Sequence, residues 1–208
     1  MKPIRAHQVR TRVYIARHGQ VENFVSGVYN GQTDVPITQV GREQMLSLLD
    51  RVRDCGISAV YCSDLCRTVE GAEIIAGSLN LPYEKLPGLR ERNFGDWEGL
   101  TYEEIGRDYP DLFGYWQKDV TAVRPPGGGE SSYDLSERVL KTYLPLLEKH
   151  CGESFFIVAH GGVNRLILAH AMKLEIRYIF RMDQAFGCLN MIDYYDDGFA
   201  YVKLINGV

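Results

Sequence analysis

Five short apolar runs punctuate the chain: Val13-Ala16, Ile57-Cys62, Phe155-Ala159, Met191-Tyr195 and Phe199-Leu204. Their length and their content of β-branched and aromatic residues predict strands. The last two are joined by Asp196-Asp197-Gly198, a hairpin signal. Between the early runs the apolar period lengthens from continuous to helical. Met45, Leu48, Leu49 and Val52 mark a helix over Gly41 to Arg53, and Val69, Ala72, Ile75, Ala76 and Leu79 mark one over Asp64 to Leu79. Leu135, Val139, Tyr143 and Leu146-Leu147 mark another, opened by Ser131 or Ser132. Apolar strands alternating with helices predict an α/β fold: a largely parallel central sheet with helices on both faces.

The segment at about 82–129 breaks this pattern. It is rich in Gly, Pro, Tyr, Trp and charge, with short helical pieces at Tyr102-Tyr109 and Leu112-Lys118, and reads as a small cap-like insertion lying over the sheet. No repeat and no long linker divides the chain, so residues 1–208 are expected to form one domain. A length of 208 residues with 45% hydrophobic content can bury a substantial core.

A formal net charge of −4 argues against nucleic acid as a partner, since phosphate-backbone binding needs a basic face. No apolar stretch approaches the roughly 20 residues that cross a bilayer, and Met1-Lys2-Pro3-Ile4-Arg5-Ala6-His7-Gln8 lacks the apolar run of a signal peptide. The five cysteines are odd in number and without framework spacing, as suits a reducing, cytoplasmic setting. Cys62 and Cys66 lack a second Cys/His pair, so no metal site is expected.

The candidate chemistry sits where strands end. Val13-Ala16 runs into Arg17-His18-Gly19, and Phe155-Ala159 runs into His160-Gly161-Gly162 and then a helix through Arg165 and Leu168. A third junction, Cys62-Ser63-Asp64-Leu65-Cys66-Arg67, leads into the second helix. Ligands of open parallel sheets bind outside the carboxyl ends of the strands, where helix N-termini favour anions. Arg17, Arg67, His18 and His160 would surround a phosphate there, the arginines with a fork that matches its oxygens. A neutral imidazole can attack phosphorus, and a carboxylic acid must then protonate the leaving alkoxide. Glu91, in a loop of charges, glycines and aromatics, is the first choice for the acid. Glu98 and Glu22 are weaker, and Glu103-Glu104 suit a solvated helix face.

Among the other groups, His7, His150 and His170 are expected to be structural. Asp34 and Thr38 should fix a loop through backbone hydrogen bonds, and Ser63 or Asp64 should cap the helix that carries Arg67.

Six pieces of the sequence, in order, resemble the histidine phosphatase superfamily in its phosphoglycerate-mutase-like branch. They are Arg17-His18-Gly19; Asn30 to Thr38 with Gly41; Ser63 to Thr68; Glu91 to Gly99; Pro126 to Ser131; and His160 to Arg165. The resemblance implies a phosphoglycerate mutase-like fold and no metal or organic cofactor. It implies His18 as nucleophile, Arg17, Arg67 and His160 as phosphate pocket, Glu91 as proton donor, and Asn30, Gly31 and Gly161 beside the substrate. One position departs: where the family carries an asparagine six residues after the nucleophile, this chain has Phe24, with Asn23 just before it. Either Asn23 takes over that contact or the pocket lacks it.

The resemblance favours a phosphatase of small phosphorylated metabolites over a mutase. The mutases carry a longer insertion with paired arginines, whereas Arg92, Arg107, Lys118 and Arg124 are scattered here. Phosphoglycerate mutase, α-ribazole phosphatase and an idle phosphate-binding module remain the alternatives, and a homodimer stays open. Phe24, Tyr29, Phe94, Trp97, Tyr102, Tyr115 and Trp116 are the expected wall of the entrance.

Overall fold

A computed structural model describes residues 9–208. Its strands are β1 (Arg10–Arg17), β2 (Ile57–Cys62), β3 (Tyr83–Lys85), β4 (Ser154–Ala159), β5 (Leu189–Tyr195) and β6 (Ala200–Gly207). Its helices are α1 (Gln39–Val52), α2 (Cys66–Leu79), α3 (Tyr102–Asp108), α4 (Pro110–Lys118), α5 (Ser132–Lys149) and α6 (Gly161–Met172). The strands form one sheet in the order β3-β2-β4-β1-β5-β6. The first four are mutually parallel, and the β5–β6 hairpin extends the sheet antiparallel to β1.

Strand periodicity explains why the early runs are apolar without alternation. Val13 and Ile15 on β1, with Phe155 and Ile157 on β4, face α5 and α6 through Leu135, Val139, Val163 and Ile167. Their neighbours Tyr14, Ala16, Phe156 and Val158 face α1 and α2 through Met45, Leu48, Ala72 and Ile75. Both faces are covered, so both sets must be apolar.

Local signals set the helix starts. Thr38 caps α1 by accepting from Gly41 N, and Ser131 and Asp134 form a capping box at α5. Thr38 also donates toward the Gln20 carbonyl and Asp34 Oδ1 accepts from Cys66 N, the backbone-fixing roles expected of the two residues. His150 ends α5 and is tied in, its Nε2 2.7 Å from the Tyr61 hydroxyl and its Nδ1 2.8 Å from Glu153. His7 lies outside the described residues.

Tyr83–Lys85, at the start of the 82–129 segment, joins the sheet as a three-residue edge strand. Only beyond it does the chain leave the sheet and build a second core, in which Trp97, Ile105 and Trp116 are buried among Tyr29, Phe94, Leu112 and Phe113. Trp97 is fully buried rather than at an entrance. Trp97→Ala should cost about 3–5 kcal/mol, a Tm loss of about 10 °C, while Trp97→Phe should recover most of it. A thermal melt of the two variants checks this.

Candidate active site

The sheet register brings the two His-Gly ends together. Arg17 pairs with Ala159 across β1 and β4, and His18 N donates to the Ala159 carbonyl at 3.0 Å. His18 and His160 therefore leave the same edge of the sheet on adjacent strands, with ring centroids 5.3 Å apart. Gly19 must be glycine, because a Cβ there would collide with the backbone of Gly41.

His18 Nδ1 lies 2.8 Å from the Gly19 carbonyl oxygen. A carbonyl only accepts, so the neutral ring carries its proton on Nδ1 and keeps its lone pair on Nε2. Burial, then Arg17 and Arg67, push the His18 pKa well below its ordinary value and keep that lone pair free.

A cavity of about 280 Å³ opens beside this ring, lined by Arg17, Arg67, Glu91, Arg92 and Arg165, by Asn23 and Asn30, and by Gly31 and Gly161. Its guanidinium groups are held by carbonyls. Arg17 Nη1 donates to Gln184 O at 2.5 Å, and the group stacks 4.0 Å above the Phe186 ring. Arg67 donates to Gly31 O at 2.6 Å and Thr33 O at 2.8 Å, and Arg165 Nε to Met182 O at 2.8 Å. Arg92 is spent on the carbonyls of Glu130, Val120 and Val123.

Among the described residues none of these four arginines forms a salt bridge, whereas Arg90 and Arg138 nearby are paired with Asp64 and Glu130. Burial lowers the pKa of all four. Four half-desolvated cations that share a single nearby carboxylate, Glu91, make a site that gains by taking up an anion.

Glu91 is the carboxylate of the cavity. Its Oε1 accepts from Arg92 N at 2.9 Å and its Oε2 from Gly162 N at 3.0 Å, in the first turn of α6. A Cβ at position 162 would run into that carboxylate. Gly162→Ala should therefore displace Glu91 and cut turnover about tenfold or more with little change in Tm. Steady-state kinetics beside a melting curve separates the two effects, and full activity in this variant would contradict the placement of Glu91.

Asn23 and Asn30 face each other through two amide hydrogen bonds, Nδ2 to Oδ1 at 2.6 Å and 3.0 Å. Asn23 thus reaches the cavity wall beside Phe24, which is half exposed. Glu98 holds the adjoining loop instead of entering the cavity, accepting from Gln32 N and Thr33 Oγ1.

Of the expected site residues, His18, Arg17, Arg67, Glu91, Asn23, Asn30, Gly31 and Gly161 line this cavity, whereas His160 is fully buried and is not part of the lining, its ring centroid 5.3 Å from that of His18. Of the expected aromatics, Phe24, Tyr29 and Phe94 line the cavity, and Tyr102 and Trp116 line an adjoining cleft of about 340 Å³ that shares Tyr29, Phe94 and Phe180 with it. Tyr115 is exposed and lines neither. Sequence reasoning gave Arg165 no role in the site, although it lies four residues after Gly161 and so one turn along the same face of α6. It also passed over Phe180 and Phe186, which no motif marks. Neither Ser63 nor Asp64 caps α2: its N-cap is Leu65, with no side-chain cap bond, while the Ser63 hydroxyl is bonded to His160 and the Asp64 carboxylate to Arg90.

A family model described as histidine phosphatase superfamily (branch 1) matches residues 13–207. The adenosylcobalamin/alpha-ribazole phosphatase of Escherichia coli is 29% identical over 197 residues, covering 94% of this chain and 95% of its own. The metal-independent phosphoserine phosphatase of Arabidopsis thaliana is 31% identical over 159 residues, or 76% of this chain and 67% of its own. The crystal structure of the alpha-ribazole phosphatase from Shigella flexneri aligns with a TM-score of 0.85 at 29% identity, over 94% of this chain and 96% of that one.

Proposed function

Because this chain belongs to the histidine phosphatase superfamily, in its branch 1, we propose that it hydrolyses small phosphomonoesters through a phosphohistidine on His18. The observation that carries this reading is the His18–Gly19 hydrogen bond, which leaves Nε2 unprotonated in a cavity where several arginines outnumber the one lining carboxylate, Glu91. Nε2 attacks phosphorus and the P–O bond to the alcohol breaks. Glu91 supplies the proton that the departing oxygen takes, and water then displaces the histidine from phosphorus. Arg17, Arg67, His160 and the N-terminal turn of α6 hold the three non-bridging oxygens as charge develops on them. Arg165 adds a third unpaired guanidinium to that wall. No step in this scheme uses a metal.

The leaving alcohol points toward the cleft of Tyr29, Phe94, Tyr102, Trp116 and Phe180, which offers aromatic contact and few polar groups. That wall supports a broad range of phosphorylated metabolites, including the α-ribazole phosphate and phosphoserine classes named for the relatives. We assign residues 1–208 to one catalytic domain, with the α3–α4 segment as its cap. Among the described residues no helix is long and apolar enough to cross a membrane. A cytoplasmic setting is part of the same proposal, since that is where such metabolites occur.

The test is release of inorganic phosphate from p-nitrophenyl phosphate and from a panel of phosphorylated metabolites ranked by kcat/KM. Turnover should survive EDTA unchanged. Inhibition that added metal reverses would contradict a metal-free mechanism, and no hydrolysis of any ester would contradict the enzyme reading.

A further inference from the structure

The Arg17 side chain has one hydrogen-bond partner among the described residues, the Gln184 carbonyl at 2.5 Å, and its guanidinium lies against the Phe186 ring. Both partners belong to the loop that enters β5. Arg17 Nε is buried with no partner among the described residues, so the aim of the guanidinium is set by where this loop holds one carbonyl oxygen and one ring.

That carbonyl is clamped through its own peptide plane. The plane is rigid, so fixing the N–H of Ala185 fixes the C=O of Gln184. Ala185 N donates to Asn206 Oδ1 at 2.6 Å and Asn206 Nδ2 donates to Asp183 Oδ2 at 3.2 Å, so one side chain grips the loop on both sides of Gln184. A β-bulge puts it there. Leu189 pairs with Gly207 and Met191 with Leu204, which leaves Ile205 and Asn206 of β6 opposite Asn190 alone. Asn206 takes φ +52°, a left-handed conformation that asparagine tolerates better than most residues.

The Gln184 side chain is locked from the core. Gln184 and Asn190 are both fully buried, and their amides pair reciprocally, Nε2 to Oδ1 and Nδ2 to Oε1, each at 2.8 Å. Backbone partners fix which amide atom is which. Asn190 Nδ2 also donates to Ile15 O at 3.1 Å and its Oδ1 accepts from Asn206 N at 2.9 Å, while Gln184 Nε2 also donates to Asp183 O at 2.8 Å. One pair of amides thus ties together β1, the loop and the end of β6.

We propose that Asn206, Gln184 and Asn190 are positioning residues that aim Arg17 at the phosphoryl group, with the Gln184 carbonyl as the point of contact. A satisfied buried polar network holds one arrangement where apolar side chains would tolerate several. A neutral carbonyl also orients the guanidinium without neutralising it. A carboxylate in its place would compete with the substrate for the charge.

The inference rests on the proposed role of Arg17 in the phosphoryl pocket, and a double-mutant cycle separates the two. Asn206→Gly accepts the left-handed backbone, keeps the N–H that donates to Asn190, and removes only the clamp. It should lower kcat/KM for p-nitrophenyl phosphate about tenfold and weaken inorganic phosphate binding measured by calorimetry, because a misaimed group costs rate even when it is present. With Arg17→Ala in place, the same substitution should cost less than about twofold, since no guanidinium is left to aim. Gln184→Met keeps the backbone carbonyl and breaks the amide pair; it should lower Tm, yet its kinetic loss should likewise vanish beside Arg17→Ala.

Full activity in Asn206→Gly, or losses that multiply with that of Arg17→Ala, would overturn the proposal, since a role in packing alone would act equally in both backgrounds. If Arg17→Ala itself leaves turnover unchanged, the phosphoryl pocket as read above falls too. If Arg17→Ala is impaired and the losses still multiply, the pocket stands and the inference alone falls.

Discussion

Replacing His18 with Ala should lower turnover of p-nitrophenyl phosphate by roughly 10³-fold or more, with the fold intact. The size of the loss follows from the loss of the covalent route. Without Nε2 the cavity lining offers no imidazole lone pair to take phosphorus from the ester, and its arginines are permanently protonated. The fold should survive because His18 is anchored by its backbone, through the bond from His18 N to Ala159 O. Its ring makes one local hydrogen bond, to Gly19. Circular dichroism and a melt beside the kinetics distinguish loss of chemistry from loss of structure. A variant with more than a few per cent of wild-type activity would refute attack by this residue.

Glu91→Gln should slow alkyl phosphates by about 10²–10⁴-fold and p-nitrophenyl phosphate far less. The substitution keeps the size of the side chain, and its amide oxygen can still accept from Gly162 N, where the carboxylate accepts at 3.0 Å. What it removes is the exchangeable proton. An alkoxide is a poor leaving group without protonation, whereas p-nitrophenolate departs unaided. The ratio of the two losses therefore reports the acid role. Equal losses on both esters would assign Glu91 to electrostatic balance instead, a role open to it because its charge offsets Arg17, Arg67, Arg92 and Arg165.

The parts of the molecule that could be read from the sequence are those in which local pattern and tertiary role coincide. Strands β1 and β4 are buried on both faces and so appear as unbroken apolar runs, and each ends in the His-Gly pair that it positions. Strand β3 escaped because three residues, Tyr83, Glu84 and Lys85, at an edge show no period and carry charge outward. Trp97 looked like an entrance aromatic because composition marks a cap as rich in such residues but does not say which of them turn inward to make its core. Ser63 looked like a helix cap because its partner His160 is 97 residues away. No local spacing encodes that contact, which arises only when β2 and β4 pair side by side. Phe186 reaches Arg17 from a loop before β5 for the same reason.

Covalent catalysis by this site requires that the phosphoryl group pass to one nitrogen of one histidine. Rapid quenching of the enzyme with a labelled phosphomonoester, followed by fragment mapping under conditions that preserve phosphoramidates, tests it directly. The hydrogen bond from Nδ1 to the Gly19 carbonyl predicts label on Nε2 of His18 and none on His160. Label on Nδ1, on another residue, or on no residue while phosphate is released would contradict covalent catalysis by His18 as described.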